Sequence, residues 1–504
     1  MSVLLLVLLA LPGGLATTLL VRRRSLAFAV GLATAVACLV AAASIDAADV
    51  VPVAGSLIGG SDGLRTLGVA WAASILLFGV IDALVGVSPG ILGPSLVGFA
   101  FGALGLAVPD PGVGFALLGA GALLTSVVPM VRIHALGTSG ARLGTAVVRP
   151  LIASTLLSLF VVAWAASPAG PLTAVGPLGE TDPSLDVAMG LALVALVAAV
   201  VLRLGAIPAH AWVARYTEAM PASAVPPLLG WGAAAFGLVA LGWVEVTIAP
   251  TAAPLGAERA VVAVIAAAGI VLGGIAAVLH DDIEHVLAYA IVQDAGIVLL
   301  AFATTGPTAT AAGRDWILTA VAVKAGLAAW VHVTRSTYGT NRRPDLRGWA
   351  RRAPILGVAF AIVIIGAIGL PTFAGYEARA TLLRLALPGP VSTLVLIAAF
   401  APAIFLGRLL VDGVGAMSPL VRASTGASLV GRGSAGAWAG DRTPVRMLPA
   451  VIRANRLALA AAAAVLAATV GLSVAIGGLG STTPNEGPAG GDAAPTPSSS
   501  VGAP

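Results

Sequence analysis

"LRLGAIPAHAWVARYTEAMPA", residues 202–222, closes a long apolar run, carries Arg203 inside that run and is interrupted by Pro208. Proline removes a backbone donor and clashes with the preceding turn, so a helix here kinks or unwinds. In an apolar medium the freed backbone groups need protein or water, which places such a break inside a bundle. A second stretch of this kind, "GAIGLPTFAGYEARATLLRLAL" (366–387), has Pro371 and Gly375 at the interruption and Glu377 and Arg379 beside it. A packing kink explains either proline alone; the charges beside both favour functional breaks.

The surroundings of the two stretches fix the class. Of 504 residues, 59% are hydrophobic and 10% charged, and the mean hydropathy is +1.02, whereas a soluble domain carries about 25% charged residues. The chain reads as a polytopic membrane protein. Apolar stretches of bilayer-spanning length recur from Val3 almost to the end, about fourteen in all. The first, Val3 to Val21, has no basic residue ahead of it and is followed by Arg22, Arg23 and Arg24, a pattern that argues against a cleaved signal peptide. Cys38 is the single cysteine, so this chain alone supplies neither a disulfide nor a cysteine-ligated iron–sulfur cluster. The net charge of +5 comes from arginines in short loops between apolar runs, which reads as membrane topology rather than nucleic-acid binding.

The spans divide the chain. Residues 1–90 form an N-terminal peripheral group of transmembrane helices, 91–250 and 251–411 hold five spans each, 412–480 a polar loop and a last span, and 481–504 a low-complexity, disordered tail. A five-span block inverts the orientation of the next. The expected fold is therefore all-α, with about fourteen transmembrane helices and two inverted five-helix repeats, each containing one broken helix. Odd-numbered loops hold Arg22–Arg24, then Arg132, Arg142 and Arg149, then Arg215, then Arg335 through Arg352, while even-numbered loops include Glu180, Asp182 and Asp186. The positive-inside rule makes the odd loops cytoplasmic and places both termini outside.

"TAVAVKAGLAAWVHV" (319–333) contains Lys324, the only lysine among 27 Lys and Arg residues. Arginine would serve as well in an ion pair, but buried lysine can lose its proton near neutral pH and guanidinium effectively cannot. Lys324 thus reads as a proton carrier. His332 lies about two helical turns on, on nearly the same face, and either extends a relay or sits at the helix end. Arg203 and Arg379 are either structural cations paired with carboxylates or tuners of their neighbours. Asp294, in "AYAIVQDAGIVLL", is expected to be protonated if it has no partner, and Glu245 is a further charge near membrane depth. His210 follows the Pro208 break and either caps freed backbone groups or carries protons. The group His280, Asp281, Asp282, Glu284 and His285 reads as a solvated loop, without specific metal-ligand spacing.

These motifs resemble the antiporter-like membrane subunits of respiratory complex I, a family shared with Mrp-type cation/proton antiporters and membrane-bound hydrogenases. The resemblance covers about residues 66–411. The 202–222 stretch is similar to the family's K-x-x-x-x-P-x-H-x-W segment, with Arg203 in place of the central lysine and Pro208, His210, Trp212 and Pro221 matching. "DDIEHVLAYAIVQDAG" (281–296) resembles N-L-K-R-L-L-A-Y-S-S-I-x-H-x-G, with Asp294 on the histidine position. In the lysine run Lys324 matches the eleventh-helix lysine and Ala320 stands where the family has histidine. Gly369, Pro371, Gly375 and Tyr376 fit the broken twelfth helix, and Arg379 takes its lysine position. Two features depart: "GFALLGAGALLTSVV" (114–128) lacks the fifth-helix glutamate, and Ala233 occupies the eighth-helix lysine position.

The resemblance implies a proton-translocating membrane subunit of a complex I-type (NADH-quinone oxidoreductase or related) assembly in a prokaryotic-type inner membrane. Quinone, flavin and iron–sulfur chemistry would belong to partner subunits, with no cofactor, metal or nucleic acid held by this chain. Its partners would be other membrane and peripheral subunits and the lipid bilayer. Lys324 would be the titrating relay, Arg203 and Arg379 fixed charges tuning it, Glu377 and Asp294 carboxylate partners, and His210 and His332 path residues. The alternatives are a non-conducting structural subunit of such a complex and a stand-alone Mrp-like antiporter.

Overall fold

The computed structural model describes residues 3–423, apart from 47–48, 54–55, 86–87, 135–137, 168–182, 252–254, 305, 370 and 372. The expected last span and tail lie outside the described residues. Helix dominates throughout. The order is α1 (Val3–Leu19), α2 (Arg24–Ala43), a short antiparallel ribbon of β1 (Val50–Val53) and β2 (Ser56–Gly59), α3 (Asp62–Val85), α4 (Leu92–Ala107), α5 (Pro111–His134), α6 (Thr138–Ala165) and α7 (Pro183–Leu204). There follow α8 (Ala211–Ala219), α9 (Gly232–Trp243), α10 (Gly256–Leu279), α11 (Ile283–Leu300), α12 (Pro307–Tyr338), α13 (Trp349–Arg352), α14 (Pro354–Ile368), α15 (Ala374–Ala386), α16 (Gly389–Ala399), α17 (Ala401–Val414) and α18 (Pro419–Ala423).

Eleven of the described helices are long and apolar enough to cross a membrane, or twelve if the pair Arg343–Arg352 and Pro354–Ile368, bent by 112°, makes one span. This is fewer than the fourteen expected. α4, at 16 residues, is apolar but too short for that count; of the two broken helices, α7 counts as a span by itself, whereas α14 and α15 are each too short to count alone.

Both breaks occur where expected, but glycine makes them. α7 stops at Gly205, whose φ of 65° is open to glycine and strained for other residues. The Ala206 N–H then bonds the Val201 carbonyl at 3.0 Å, the closing bond of a Schellman cap. Trp212 Nε1 donates to the Leu202 carbonyl at 3.1 Å, so the tryptophan of the motif serves the freed end of α7. Gly369, with φ 67°, ends α14, its own N–H bonding the Ile365 carbonyl at 2.9 Å. Pro208 and Pro371 follow by three and two residues and keep either helix from resuming. Gly375 has another use. It lies within α15, where an added Cβ would come 2.6 Å from Thr319 Cγ2; its lack of a side chain brings α15 against α12.

Packing without a hydrophobic force between helices depends on close backbone approach. The α10–α11 pair shows this at Gly273 and Gly296, where an added Cβ would come 2.8 Å from Gln293 N and from the Ala266 carbonyl. The N-terminal group packs on the remainder through α3, where Trp71 stacks on Trp231 with ring centroids 6.4 Å apart. At the centre lies α12, in which every residue from 316 to 334 is buried.

Candidate functional site

A helix with no lipid-facing surface over most of its length would be expected to carry only apolar residues. α12 instead carries three cations and a histidine, each facing a carboxylate from another element. Arg314 Nη2 lies 2.5 Å from Glu245 Oε2, in a π-helical turn (Val244–Ile248) that follows α9. Lys324 Nζ lies 2.5 Å from Asp294 Oδ2 of α11. His332 Nε2 lies 2.7 Å from Asp82 Oδ1 of α3, and Arg335 pairs with Glu284 of α11. From Arg314 to Arg335 the helix rises about 32 Å at 1.5 Å per residue, close to the roughly 30 Å of a hydrocarbon core. The pairs thus form a ladder of membrane thickness.

Lys324 and Asp294 occupy its middle, 8% exposed each. Both line a cavity with about 40 Å³ of room for water centres, also walled by Leu204 at the end of α7, Gly230, Ala233 and Ala320. One water needs about 10–15 Å³ on that measure, so the space holds a few. Asp294, expected to be protonated only if it had no partner, thus has one in its direct ion pair with Lys324. Ala233 and Ala320, the alanines at the positions of the family's eighth-helix lysine and eleventh-helix histidine, both face this cavity and leave Lys324 its only cation.

Arg379 sits nearby on α15 and is 1% exposed, but no carboxylate forms a salt bridge with it among the described residues. Its Nη2 donates to the carbonyl of Ile368 at 2.5 Å and its Nη1 to that of Ala399 at 3.3 Å, the last residues of α14 and α16. Those carbonyls lack helical partners and carry the negative end of the helix dipole, so Arg379 is a fixed cation joining two helix ends. Phe400 lies under it, 4.4 Å from the guanidinium carbon to the ring centroid. Trp316 of α12 also touches this guanidinium and donates from Nε1 to the Asp294 carbonyl at 3.3 Å. That contact links Arg379 to the central pair.

Glu377 is exposed on the outer side of α15, and the structure does not bring it to Lys324 or Arg379. Arg203 is 1% exposed and likewise meets no carboxylate among the described residues. Its Nη2 reaches the Leu118 and Gly232 carbonyls at 3.5 and 3.4 Å, Phe236 lies 5.6 Å away, and Nε and Nη1 have no protein partner. The missing fifth-helix glutamate is visible here as an unpaired cation.

His332 is no helix-end residue; it lies within α12 and belongs to the ladder. His210 precedes α8 without capping it through its side chain, and its ring lies 6.3 Å from Tyr289, which His280 and His285 also approach. The segment read as a solvated loop is only partly so. Asp282 caps α11 by accepting from the Glu284 N–H at 2.8 Å, and Asn341 donates to it at 2.6 Å. Burial raises the Asp282 carboxyl above its ordinary range, opposed by His285 and Arg335. Glu284, in the same segment, is 1% exposed. No cluster of three metal-ligating side chains occurs among the described residues. Sequence reasoning passed over Asp82 and Arg314. The signal for Asp82 was present, a lone carboxylate in the apolar run "WAASILLFGVIDALV" (71–85).

The sequence model of the NADH:quinone oxidoreductase/Mrp antiporter transmembrane family matches residues 150–405, about half of the chain. Subunit N 1 of the NADH-quinone oxidoreductase of Streptomyces griseus is 30% identical over 245 residues, covering 46% of this chain and 50% of that relative. Subunit N from Mycobacterium tuberculosis is 27% identical over 251 residues, covering 48% and 46%. The chain thus spans about half the length of the curated relatives it matches. Among solved structures, a chain of the Mrp complex from a Dietzia species superposes with TM-score 0.67 at 19% identity, covering 95% of this chain and 96% of that one. A chain of respiratory complex I from Thermus thermophilus gives 0.64 at 17%, covering 93% and 99%; both likenesses are of fold. With breaks at Gly205 and Gly369 on either side of a buried lysine–carboxylate pair, and with half its length matched, the chain is a multi-pass membrane protein of the NADH:quinone oxidoreductase/Mrp antiporter transmembrane family.

Proposed function

We propose that this chain is a proton-translocating, antiporter-like membrane subunit of a complex I-type or Mrp-type assembly, and that translocation runs along α12. The observation that carries this reading is the Lys324–Asp294 pair, 2.5 Å apart beside a cavity with room for a few waters. A proton on Lys324 Nζ passes to Asp294 Oδ2, turning ammonium and carboxylate into amine and carboxylic acid; Asp294 then releases that proton to water on one side, and a proton relayed in through water in the cavity reloads the amine. Arg379, fixed at two helix ends, biases the pair electrostatically. Redox chemistry would reside in partner subunits holding quinone, flavin and iron–sulfur groups. The finer architecture belongs to the same proposal: fourteen spans, inverted repeats at 91–250 and 251–411, both termini outside by the distribution of loop arginines, and an inner-membrane location.

A second reading, a structural subunit that does not conduct, is favoured by Arg203, which has no carboxylate, and by Ala233 in the lysine position. One experiment separates the two. The assembly is purified through a tag on this chain from its native host, its partners are identified by mass spectrometry, and proton flux is measured in proteoliposomes for wild type and Lys324→Arg. The proposal expects Lys324→Arg to co-purify with the same partners and to lose flux by about a hundredfold or more, as when an acid–base group is removed. Undiminished flux in that variant would overturn it.

A further inference from the structure

The reading above leaves Asp82 without a role, and α3 lies ahead of the residues matched by the family. Its carboxylate is 2.7 Å from His332 Nε2, with side-chain exposures of 2% and 5% for Asp82 and His332. Beside the pair is a second cavity, with about 10 Å³ of room for water centres and Ser74, Asp82, Ser95, Ser223 and Trp231 among its walls. That is about the space one water requires. Ser223 Oγ and Trp231 Nε1 are buried without a protein hydrogen-bond partner, and both residues are 1% exposed. An indole N–H only donates. The occupant that satisfies it must accept a hydrogen bond, which fits water and disfavours a bare cation.

One element separates this cavity from that of Lys324. The π-helical turn Pro226–Trp231 presents Pro227 and Trp231 to one side and Leu229 and Gly230 to the other. Such turns are frequent at functional sites. Along α12, His332 is about 12 Å from Lys324.

We propose that Asp82, His332 and this cavity form a second proton station, which holds one proton on a carboxylate–imidazole pair and exchanges it, through bound water beside the π turn, with the Lys324 cavity. The exchange moves a proton between His332 Nε2 and Asp82 Oδ1. The pair alternates between imidazolium with carboxylate and imidazole with carboxylic acid, and no heavy-atom bond forms or breaks. The station rests on the proton-translocating reading, and its test keeps the two apart.

Proton flux is compared in proteoliposomes holding the whole purified assembly with wild type, Asp82→Asn, Asp82→Glu, Trp231→Phe and Lys324→Met. Asparagine still accepts a hydrogen bond from His332, so a structural role would leave flux intact. The station expects Asp82→Asn to lower flux by about a hundredfold with partners retained, and Asp82→Glu to recover most of it. Trp231→Phe removes one donor and no charge, so it reports even if Asp82→Asn does not assemble; it should slow flux by about fivefold, the value of one hydrogen bond. Lys324→Met inactive with Asp82→Asn or Trp231→Phe at full rate would overturn the station and leave the translocating reading standing. Full flux in Lys324→Met would overturn that reading and the station with it. A sodium dependence of wild-type flux that disappears in Asp82→Asn would mean that the cavity binds a cation, and would also overturn the station.

Discussion

Arg203 and Lys324 are both buried cations, yet removing them should have opposite consequences. Arg203 faces two carbonyls and a ring, so Arg203→Leu strands no counter-charge and replaces a desolvated ion with apolar volume. Such exchanges are often neutral or stabilising by about 1–4 kcal/mol, and thermal denaturation of the purified assembly should show an unchanged or higher Tm. Lys324→Leu leaves Asp294 alone at membrane depth. Breaking a buried pair from one side costs about 3–5 kcal/mol unless the survivor takes a proton, so this variant should be destabilised, and Lys324→Leu with Asp294→Leu should recover stability but not flux. The residues that announced themselves in the sequence were those in costly places: Lys324, Arg203 and Arg379 in apolar runs. Their partners were less legible. Asp294 was visible as a charge, but that it meets Lys324 depends on how α11 lies against α12, which no spacing along the chain encodes. The proximity of Glu377 to Arg379 in sequence pointed the wrong way, because residues two apart on a helix face different directions.

At the level of the element, the breaks and the close contacts depend on glycines for different reasons. Gly375 allows α15 to approach Thr319, five residues ahead of Lys324 on α12. Gly375→Ala should force the helices apart at a cost of about 1–3 kcal/mol, typical of overpacking, and lower flux by shifting Arg379 and Trp316 relative to Asp294. Thr319→Ser removes the methyl that the new Cβ would strike, so the double variant should regain stability and flux over Gly375→Ala alone. If Thr319→Ser gave no relief, the contact would not be what positions α15. Prolines marked both breaks in the sequence, but the residue that turns the chain is the glycine just before, and its positive φ becomes visible only in three dimensions. The placement of apolar runs was readable because bilayer thickness sets their length; α4 and the bent α13–α14 pair fell outside that rule.

For the whole molecule, membership of the family was legible from four short motifs, whereas the joining of the N-terminal helices to the core was not. Trp71 and Asp82 reach Trp231 and His332 from a part of the chain that the motifs do not cover. The ladder also has an electrical meaning. A membrane potential does about 2.3 kcal/mol of work per elementary charge per 100 mV, but with every rung protonated on its cation the positive and negative members cancel. Each pair then feels almost no net pull, while the field draws α12, which carries the cations, and the elements that carry the carboxylates in opposite directions. Arg203, two residues before the Gly205 break, and Arg379, bonded to the Ile368 carbonyl at the Gly369 break, have no salt-bridge partner among the described residues and take that pull as single charges. Voltage would therefore act on this protein as shear between its central helix and the neighbours that hold the carboxylates, and as strain at its two helix breaks.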